Sequence, residues 1–284
     1  GGVSLNKCSS ATDIIFILDS TTSMKNSLIK IYNNIDYFSQ RLTACCLNHR
    51  FGGITFGDNY GMTHLPLPGK TPIPFDQIRP LIAPTGINDF KLWLNDVITN
   101  YSISGDDIFN NAIDPIVYAL TPLGTPVTTN PEGSYSAQAN FNYYNNVAYI
   151  LVTNTGFNSP SSSGNTDNWY ASGGTYNSPI YNTYNDAISA LNEEDIPCYT
   201  ITSSQFNKSE YSDISRQTLA SWYEISTANY SDIFRPIAAS ICTKYGGCPA
   251  KTDIVFLLDS TTTMVSSLTS LYNNMNYFAR QLSG

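Results

Sequence analysis

The sequence predicts an α/β fold: a doubly wound, mostly parallel sheet with helices on both faces. Two short apolar runs, residues 14–18 and 147–152, are typical of strands that are buried on both faces of a parallel sheet. Segments with apolar residues at helical spacing follow each run, so strands and helices alternate along the chain. Such alternation predicts a parallel sheet whose strands are connected by helices.

The first half of the chain predicts five elements after the first strand. Apolar residues recur every three or four positions from Met24 to Leu42, which predicts a long amphipathic helix. Residues 51–56 and 62–66 predict two strands joined by a turn, and this hairpin would supply one antiparallel edge strand. Helices are expected over 87–100 and about 108–120, each with one apolar face.

The second half repeats the alternation. After the strand at 147–153 we expect a helix at 183–193, strands at 198–202 and 222–225, and a helix at 233–242. The stretches 121–145 and 155–182 are rich in Asn, Ser, Gly, Pro and Tyr, and they exceed the usual length of unstructured connections. They are interpreted as functional loops or as disorder. The second follows the carboxyl end of a buried strand, where open α/β sheets bind ligands.

Composition excludes two classes of partner and favours an extracellular protein. The net charge of −8 opposes binding to nucleic acid, and no apolar run is long enough to span a membrane. Charged residues make up only 13% of the chain, and Asn, Ser, Thr and 20 Tyr residues take their place. Asn-x-Ser sequons at Asn100, Asn207 and Asn229 add the expectation of a secreted glycoprotein.

Six cysteines without Cys-x-x-Cys spacing predict disulfides rather than a zinc site. They are Cys8, Cys45, Cys46, Cys198, Cys242 and Cys248. The favoured pair is Cys8 with Cys242, because the ends of a domain usually lie close together. A second pair joins Cys198 to Cys45 or Cys46, since the first helix would end where the Cys198 strand begins. Cys248 would then pair within a following domain.

An internal repeat divides the chain. Residues 253–284 align without gaps onto residues 13–44, with 17 of 32 positions identical and an offset of 240 residues. The expected organisation is a linker at 1–11, a domain at 12–243, a linker at 244–251, and the first strand and helix of a second repeat at 252–284. The second copy would either begin further domains, which is the favoured reading, or dock into another subunit and form a head-to-tail polymer by domain swapping.

A short motif lies where the first buried strand ends. Asp19-Ser20-Thr21-Thr22-Ser23 places a carboxylate and two hydroxyl groups on alternate residues, and such oxygen atoms suit a hard cation. With this motif and its order of elements, the stretch 10–243 resembles the von Willebrand factor A family, which includes integrin I domains. The motif matches the metal-ion-dependent adhesion site of that family. The second repeat carries it again, at Asp259, Thr261 and Thr263.

The resemblance extends to two further motifs of the family. Residues 104–114 are similar to its second motif and place Asp107 at the ligand position. In its third motif an Asp follows the next buried strand, but here Asn154 occupies that position. The resemblance therefore implies a Mg²⁺ or Ca²⁺ site formed by Asp19, Thr21, Ser23, Asp107 and Asn154. Because an amide brings no charge, the affinity for the ion should be reduced.

A simpler interpretation of the same residues remains open from the sequence alone. Asp19, Thr21 and Ser23 could cap the first helix, since Asp, Thr and Ser are common at helix N-termini. Asp107 could complement the positive end of the helix that follows it.

The expected function is that of an extracellular adhesive or structural protein of tandem domains. Such a protein would bind other proteins or copies of itself, with a divalent-cation site as one means of contact. The alternative is a metal-independent structural fibre subunit with a degenerate site. Catalysis is not expected, because Gly-x-Ser-x-Gly, His-Glu-x-x-His and P-loop motifs are absent and the sequence has only two histidines.

Overall fold

A computed structural model describes residues 11–56, 82–100, 109–110, 112–120, 146–157, 170–171, 174–175 and 182–246. All of them belong to the first of two units into which the chain divides, Gly1–Ala250 and Lys251–Gly284. Several predicted residues lie outside the described ones. These are Cys8, Cys248, Asp107, Asp259, Thr261, Thr263 and the stretch 62–66.

Strands and helices alternate as the sequence predicts. The strands within the described ranges are β1 (Thr12–Asp19), β2 (His49–Phe56), β3 (Ile82–Thr85), β4 (Phe109–Asn110), β5 (Asn146–Thr153), β6 (Gly156–Phe157), β7 (Tyr170–Ala171), β8 (Gly174–Thr175), β9 (Cys198–Thr202) and β10 (Trp222–Glu224). The helices are α1 (Lys25–Ala44), α2 (Ile87–Asn100), α3 (Asp114–Tyr118), α4 (Tyr184–Glu193), α5 (Lys208–Gln217) and α6 (Ser231–Tyr245), and a 3-10 turn at Thr22–Met24 precedes α1.

Six strands form one sheet in the order β10-β9-β5-β1-β2-β3. Neighbouring strands run parallel from β10 to β2, and β3 pairs antiparallel with β2 at one edge. The other strands form two small sheets: β4 pairs with β6 in parallel, and β7 with β8 antiparallel. A mostly parallel α/β sheet with one antiparallel edge strand confirms the predicted fold class.

The central strand β1 is buried along its whole length. Its side chains alternate between two apolar layers, so that Ile14 and Phe16 face one layer while Ile15 and Ile17 face the other. The first layer includes α1, α2 and α6, where the rings of Phe38 and the α6 residue Phe234 stack with centroids 4.8 Å apart. Burial on both faces explains why the strand reads as an unbroken apolar run.

The antiparallel edge strand differs from the sequence expectation. The sequence places it at 62–66, outside the described residues, whereas the strand that pairs with β2 is β3. Gly52 allows β3 to lie close to β2, because a Cβ atom at position 52 would lie only 3.2 Å from the carbonyl oxygen of Ile82. Pro84 is tolerated because β3 is at the edge, where a missing backbone N–H breaks no ladder.

Two helices also differ from expectation. The helix predicted at about 108–120 is the short α3, which has a proline, Pro115, in its first turn, and residues 109–110 form β4 instead. The sequence does not predict α5, because this helix is mostly polar and buries only Tyr211, Ile214 and Ser215. Its weak apolar stripe is too narrow to identify by spacing.

The structure corrects both predicted disulfide pairings. Cys242 is bonded to Cys45, with a Cα–Cα distance of 6.0 Å, so the pairing of Cys8 with Cys242 is wrong. Cys198 is a buried thiol outside any disulfide, and burial raises its pKa to about 12. Its pairing with Cys45 or Cys46 is therefore also wrong. The reason is that Cys45 and Cys242 belong to one apolar layer and Cys198 to the layer across the sheet.

Candidate functional site at the carboxyl edge of the sheet

Polar side chains meet where β1 and β5 end. These strands are parallel neighbours, and the pairing of Leu18 with Val152 brings their carboxyl ends together. Asp19 is the last residue of β1 and Thr153 the last residue of β5. We call six residues the carboxyl-edge cluster: Asp19, Thr21, Ser23, Thr153, Asn154 and Thr155.

The carboxylate of Asp19 is the buried centre of this cluster. Its Oδ1 atom accepts hydrogen bonds from the backbone N–H of Thr21 at 2.9 Å and from the Thr21 hydroxyl at 2.7 Å. Its Oδ2 atom accepts from the hydroxyls of Thr153 at 2.7 Å and Thr155 at 3.4 Å. A buried carboxylate is costly unless donors surround it, and these four donors fix both its position and its orientation.

A row of oxygen atoms leads from Asp19 to the surface. The hydroxyl oxygens of Thr21 and Ser23 lie 3.1 Å apart, and the Ser23 hydroxyl donates to Oδ1 of Asn154 at 3.3 Å. Ser23 is exposed and Asn154 half-buried, whereas Thr21 is buried. Since Thr21 gives its hydroxyl proton to Asp19, its remaining lone pairs face this row. The cluster therefore presents neutral oxygen atoms to solvent with a negative charge behind them.

The structure decides against helix capping by these residues. The positions that would cap are Thr21 for the 3-10 turn and Met24 for α1, and neither makes a side-chain capping hydrogen bond. The hydroxyls of Thr21 and Ser23 contact each other and the other members of the cluster instead. For the first helix the capping alternative is therefore wrong.

Helix α5 supports the cluster from behind. The buried Tyr211 donates its hydroxyl to the carbonyl oxygen of Thr155 at 3.2 Å. Burial raises the pKa of Tyr211 well above its ordinary value, and the negative charge of Asp19 adds to this effect. A phenol is protonated at neutral pH in any case, and these effects keep Tyr211 protonated in more alkaline solution as well. It can therefore hold the backbone of Thr155 in place as a permanent donor.

The donor set is suited in kind to a hard divalent cation. All its side-chain ligand atoms are oxygens, which Mg²⁺ and Ca²⁺ prefer. Of the six residues of the cluster, Asp19 alone carries a carboxylate, and within the described ranges no group of three or more His, Cys, Asp or Glu residues could hold a metal ion. The residues therefore fit such an ion by ligand type and provide a single formal charge.

Four of the five predicted ligands are brought together. In the order Asp19, Thr21, Ser23 and Asn154, neighbouring side-chain oxygens lie 2.7, 3.1 and 3.3 Å apart, and Asp107 lies outside the described residues. Sequence reasoning did not identify Thr153 and Thr155, which contact Asp19 directly. The sequence feature that could have identified them is a threonine on each side of Asn154, at the end of a buried strand.

Comparison with known proteins gives a likeness to solved structures only. No family model matches the chain, and no curated protein matches it. Two similar solved structures are of proximal thread matrix protein 1 from the mussel byssus, one of them in crystal form 2. Each is 15% identical with a TM-score of 0.44, and the matches cover 84% and 82% of this chain. The match spans 46% of the byssus chain in both cases.

Proposed function

We propose that this chain is an extracellular structural or adhesive protein that contacts other proteins, including copies of itself, through the carboxyl edge of its sheet. The observation that carries the proposal is the carboxyl-edge cluster. Its row of solvent-facing oxygen atoms is held by a buried carboxylate and by Tyr211. A fixed array of hydroxyl and amide groups can form directed hydrogen bonds to a partner with little loss of side-chain entropy.

Three further observations support an extracellular location. The Cys45–Cys242 disulfide is of the kind that persists in oxidising compartments. The chain has few charged residues, and it carries sequons at Asn100, Asn207 and Asn229. Asn100 and Asn229 are exposed, whereas Asn207 is half-buried and accepts a hydrogen bond from the backbone of Phe157. Glycosylation at Asn100 and Asn229 is therefore easier to reconcile with the fold.

No helix in the described ranges combines the length and the apolar character that a membrane crossing requires.

The proposed function does not include catalysis. The hydroxyls of Thr21, Thr153 and Thr155 donate to Asp19. His49 lies at the opposite end of the sheet, at the start of β2, where it contacts Ser39 and Leu47. The cluster thus combines hydroxyls with a carboxylate that orients them, without a histidine among its six members.

A divalent cation is part of the proposal. Thr21, Ser23 and Asn154 would hold it, and Asp19 would supply the negative charge. The ion would provide a Lewis-acidic position that a carboxylate of the partner could complete.

A metal-independent contact surface is the second candidate. It is favoured by the donors that surround Asp19, because four protein groups already stabilise the carboxylate. Asn154 also brings no charge where a second carboxylate would strengthen cation binding.

Thermal unfolding with and without Mg²⁺ or Ca²⁺ distinguishes the two candidates. The informative variant is Asn154→Asp, and Asn33→Asp on the exposed side of α1 is its matched control. A Tm increase with cation in the wild type supports the cation site. An increase in Asn154→Asp alone supports the metal-independent surface. If neither protein responds, the cation is contradicted for this cluster.

The contact itself is tested by sedimentation of the full chain. We expect Ser23→Arg to reduce self-association, because a long cation at the exposed end of the cluster blocks the row of oxygen atoms. Asn33→Arg is the matched control and should associate as the wild type does. Unchanged association of Ser23→Arg, with an unchanged Tm, would contradict a contact through this edge.

A further inference from the structure

The structure shows which positions in the first copy of the internal repeat are buried. Residues 13–44, the first copy, form most of β1, the 3-10 turn and α1, and 15 of them are buried. In the second copy, 11 of these 15 positions carry the identical residue, against 6 of the 17 others. The four buried differences are all exchanges among apolar residues. They are Ile15 to Val255, Ile17 to Leu257, Ile31 to Leu271 and Ile35 to Met275.

This pattern matches the packing demands of one place in the fold. The first copy lies between β2 and β5, and its helix packs against α2 and α6. Close packing there tolerates changes of shape poorly, whereas exposed positions tolerate most changes. Since the second copy differs from the first chiefly at exposed positions, its side chains suit the same surroundings.

Two buried carboxylates add a chemical requirement. Asp13 is fully buried and accepts two hydrogen bonds of 2.8 Å from the guanidinium of Arg50, and its equivalent in the second copy is Asp253. Asp19 is held in part by Thr153, and its equivalent is Asp259. Arg50 and Thr153 lie outside residues 13–44. A buried second copy therefore needs an arginine and hydroxyl groups from the strands beside it.

Residues 253–284 repeat the sequence of residues 13–44, and in the first copy β1 lies between β2 and β5. We propose that residues 253–284 take the central sheet position in a second body of this fold, between strands equivalent to β2 and β5. The partner has the chemistry of the β2-to-α6 part of this chain. It presents an arginine to Asp253 and hydroxyl groups to Asp259, and thereby completes a second carboxyl-edge cluster.

Complementation between full-length chains tests the proposal. The acceptor carries F16D, L18D, F256D and L258D, so that neither of its copies can fill the central position. The donor is the wild-type chain, whose second copy carries no substitution. We expect a 1:1 complex in sedimentation and a gain of β-sheet signal over the sum of the separate proteins.

The matched donor carries only F256D and L258D. It retains the first copy and should form no complex with the acceptor. Complex formation by both donors, or by neither, would overturn the proposal.

A chimera keeps the proposal testable if the acceptor aggregates. In this full-length chain, the sequence of residues 253–284 replaces residues 13–44. We expect cooperative unfolding, the Cys45–Cys242 disulfide, and a Tm within about 15 °C of the wild type, since each aliphatic exchange lowers the Tm by roughly 2–4 °C. The variant I15V/I17L/I31L/I35M is the control for those exchanges alone. If this control folds and the chimera does not, the proposal is wrong.

A charge exchange within the chimera tests the specific fit. Arg50→Asp should abolish cooperative unfolding, because it faces the transplanted Asp253 with a second carboxylate. Changing the transplanted copy of Asp253, which then stands at position 13, to Arg should restore cooperative unfolding. A chimera whose Tm is unchanged by Arg50→Asp would show that the second copy does not occupy the position of the first.

Discussion

The two ends of strand β1 each carry a buried carboxylate, and the two carboxylates are stabilised by different groups. Asp13 and Asp19 are both fully buried in this strand, at opposite edges of the sheet. Asp13 is held by the guanidinium of Arg50, whereas Asp19 is held by hydroxyl groups and a backbone N–H. A guanidinium neutralises a buried carboxylate, but hydroxyls only orient it and leave its negative charge in the site. We therefore expect the amino edge to contribute more to stability, whereas the carboxyl edge is where we propose contacts with other proteins.

Other contacts strengthen this division. The amino edge also carries the disulfide between Cys45 and Cys242. At the same edge, Tyr245 near the end of α6 donates to the carbonyl oxygen of Val147 at the start of β5. The disulfide joins the end of α1 to α6, and the Tyr245 hydrogen bond joins α6 to the sheet. We therefore expect substitutions at the amino edge to lower stability more than substitutions at the carboxyl edge.

The largest effect is expected from removal of the disulfide. It links cysteines separated by 197 residues, so the double variant Cys45→Ser/Cys242→Ser should lose about 5 kcal/mol of unfolding free energy. Urea unfolding without reductant measures this difference. Dithiothreitol should lower the stability of the wild type to that of the variant and leave the variant unchanged. Equal stability of the oxidised wild type and the variant would contradict the role of this bond.

The ion pair at the amino edge should have the next largest effect. Arg50→Met leaves the buried carboxylate of Asp13 without its guanidinium and should cost about 3 kcal/mol. Arg235→Met is the matched control, because Arg235 and Asp232 form an exposed pair on α6 whose loss should cost less than about 0.5 kcal/mol. Similar losses in the two variants, measured by urea unfolding, would argue against a special role for the amino edge.

A smaller loss is expected at the carboxyl edge. Thr153→Val removes a hydroxyl that donates to Asp19 at 2.7 Å, and the loss should be about 2 kcal/mol. Thr99→Val is the control, because the exposed Thr99 hydroxyl bonds only to backbone oxygen atoms of its own helix. If Thr153→Val exceeded Arg50→Met in its cost, the division between the two edges would be reversed.

The smallest effect is a pH dependence at the amino edge. Burial lowers the pKa of His49, and its hydrogen bond with the Leu47 carbonyl opposes this only in part. The unfolded chain then binds a proton more readily than the folded one. Stability should therefore fall as the pH drops below about 6.5, by less than about 1 kcal/mol for this half-buried ring. Urea unfolding of the wild type and His49→Gln at several pH values checks this, and the variant should show a flatter profile.

The fold was predictable where burial sets the sequence pattern. The central strands read as apolar runs, and α1, α2 and α4 show apolar residues at helical spacing. The polar helix α5 was not predictable in this way. The edge strand β3 was also missed, because it has only four residues and none of them is fully buried. Disulfide pairing depends on which face of the sheet each cysteine occupies, and chain position alone does not give that face.

The candidate site was predictable in part for a similar reason. A motif at the end of β1 located Asp19, Thr21 and Ser23, and the position after β5 located Asn154. The roles of Thr153 and Thr155 depend on the register of β5 against β1, which brings both hydroxyls to one carboxylate. Tyr211 lies on α5, so its contact with Thr155 could not be expected before that helix was known.

The disulfide has a further consequence for the response of this domain to a pulling force. If tension is applied between the start of β1 and the end of α6, the Cys45–Cys242 bond keeps the enclosed chain out of the force path. Only the roughly 40 residues outside the loop can then be drawn out, which limits the gain in contour length to about 130 Å instead of about 800 Å. The oxidised domain would therefore act as a short extensible element that stops abruptly, and the reduced domain as a long and compliant one.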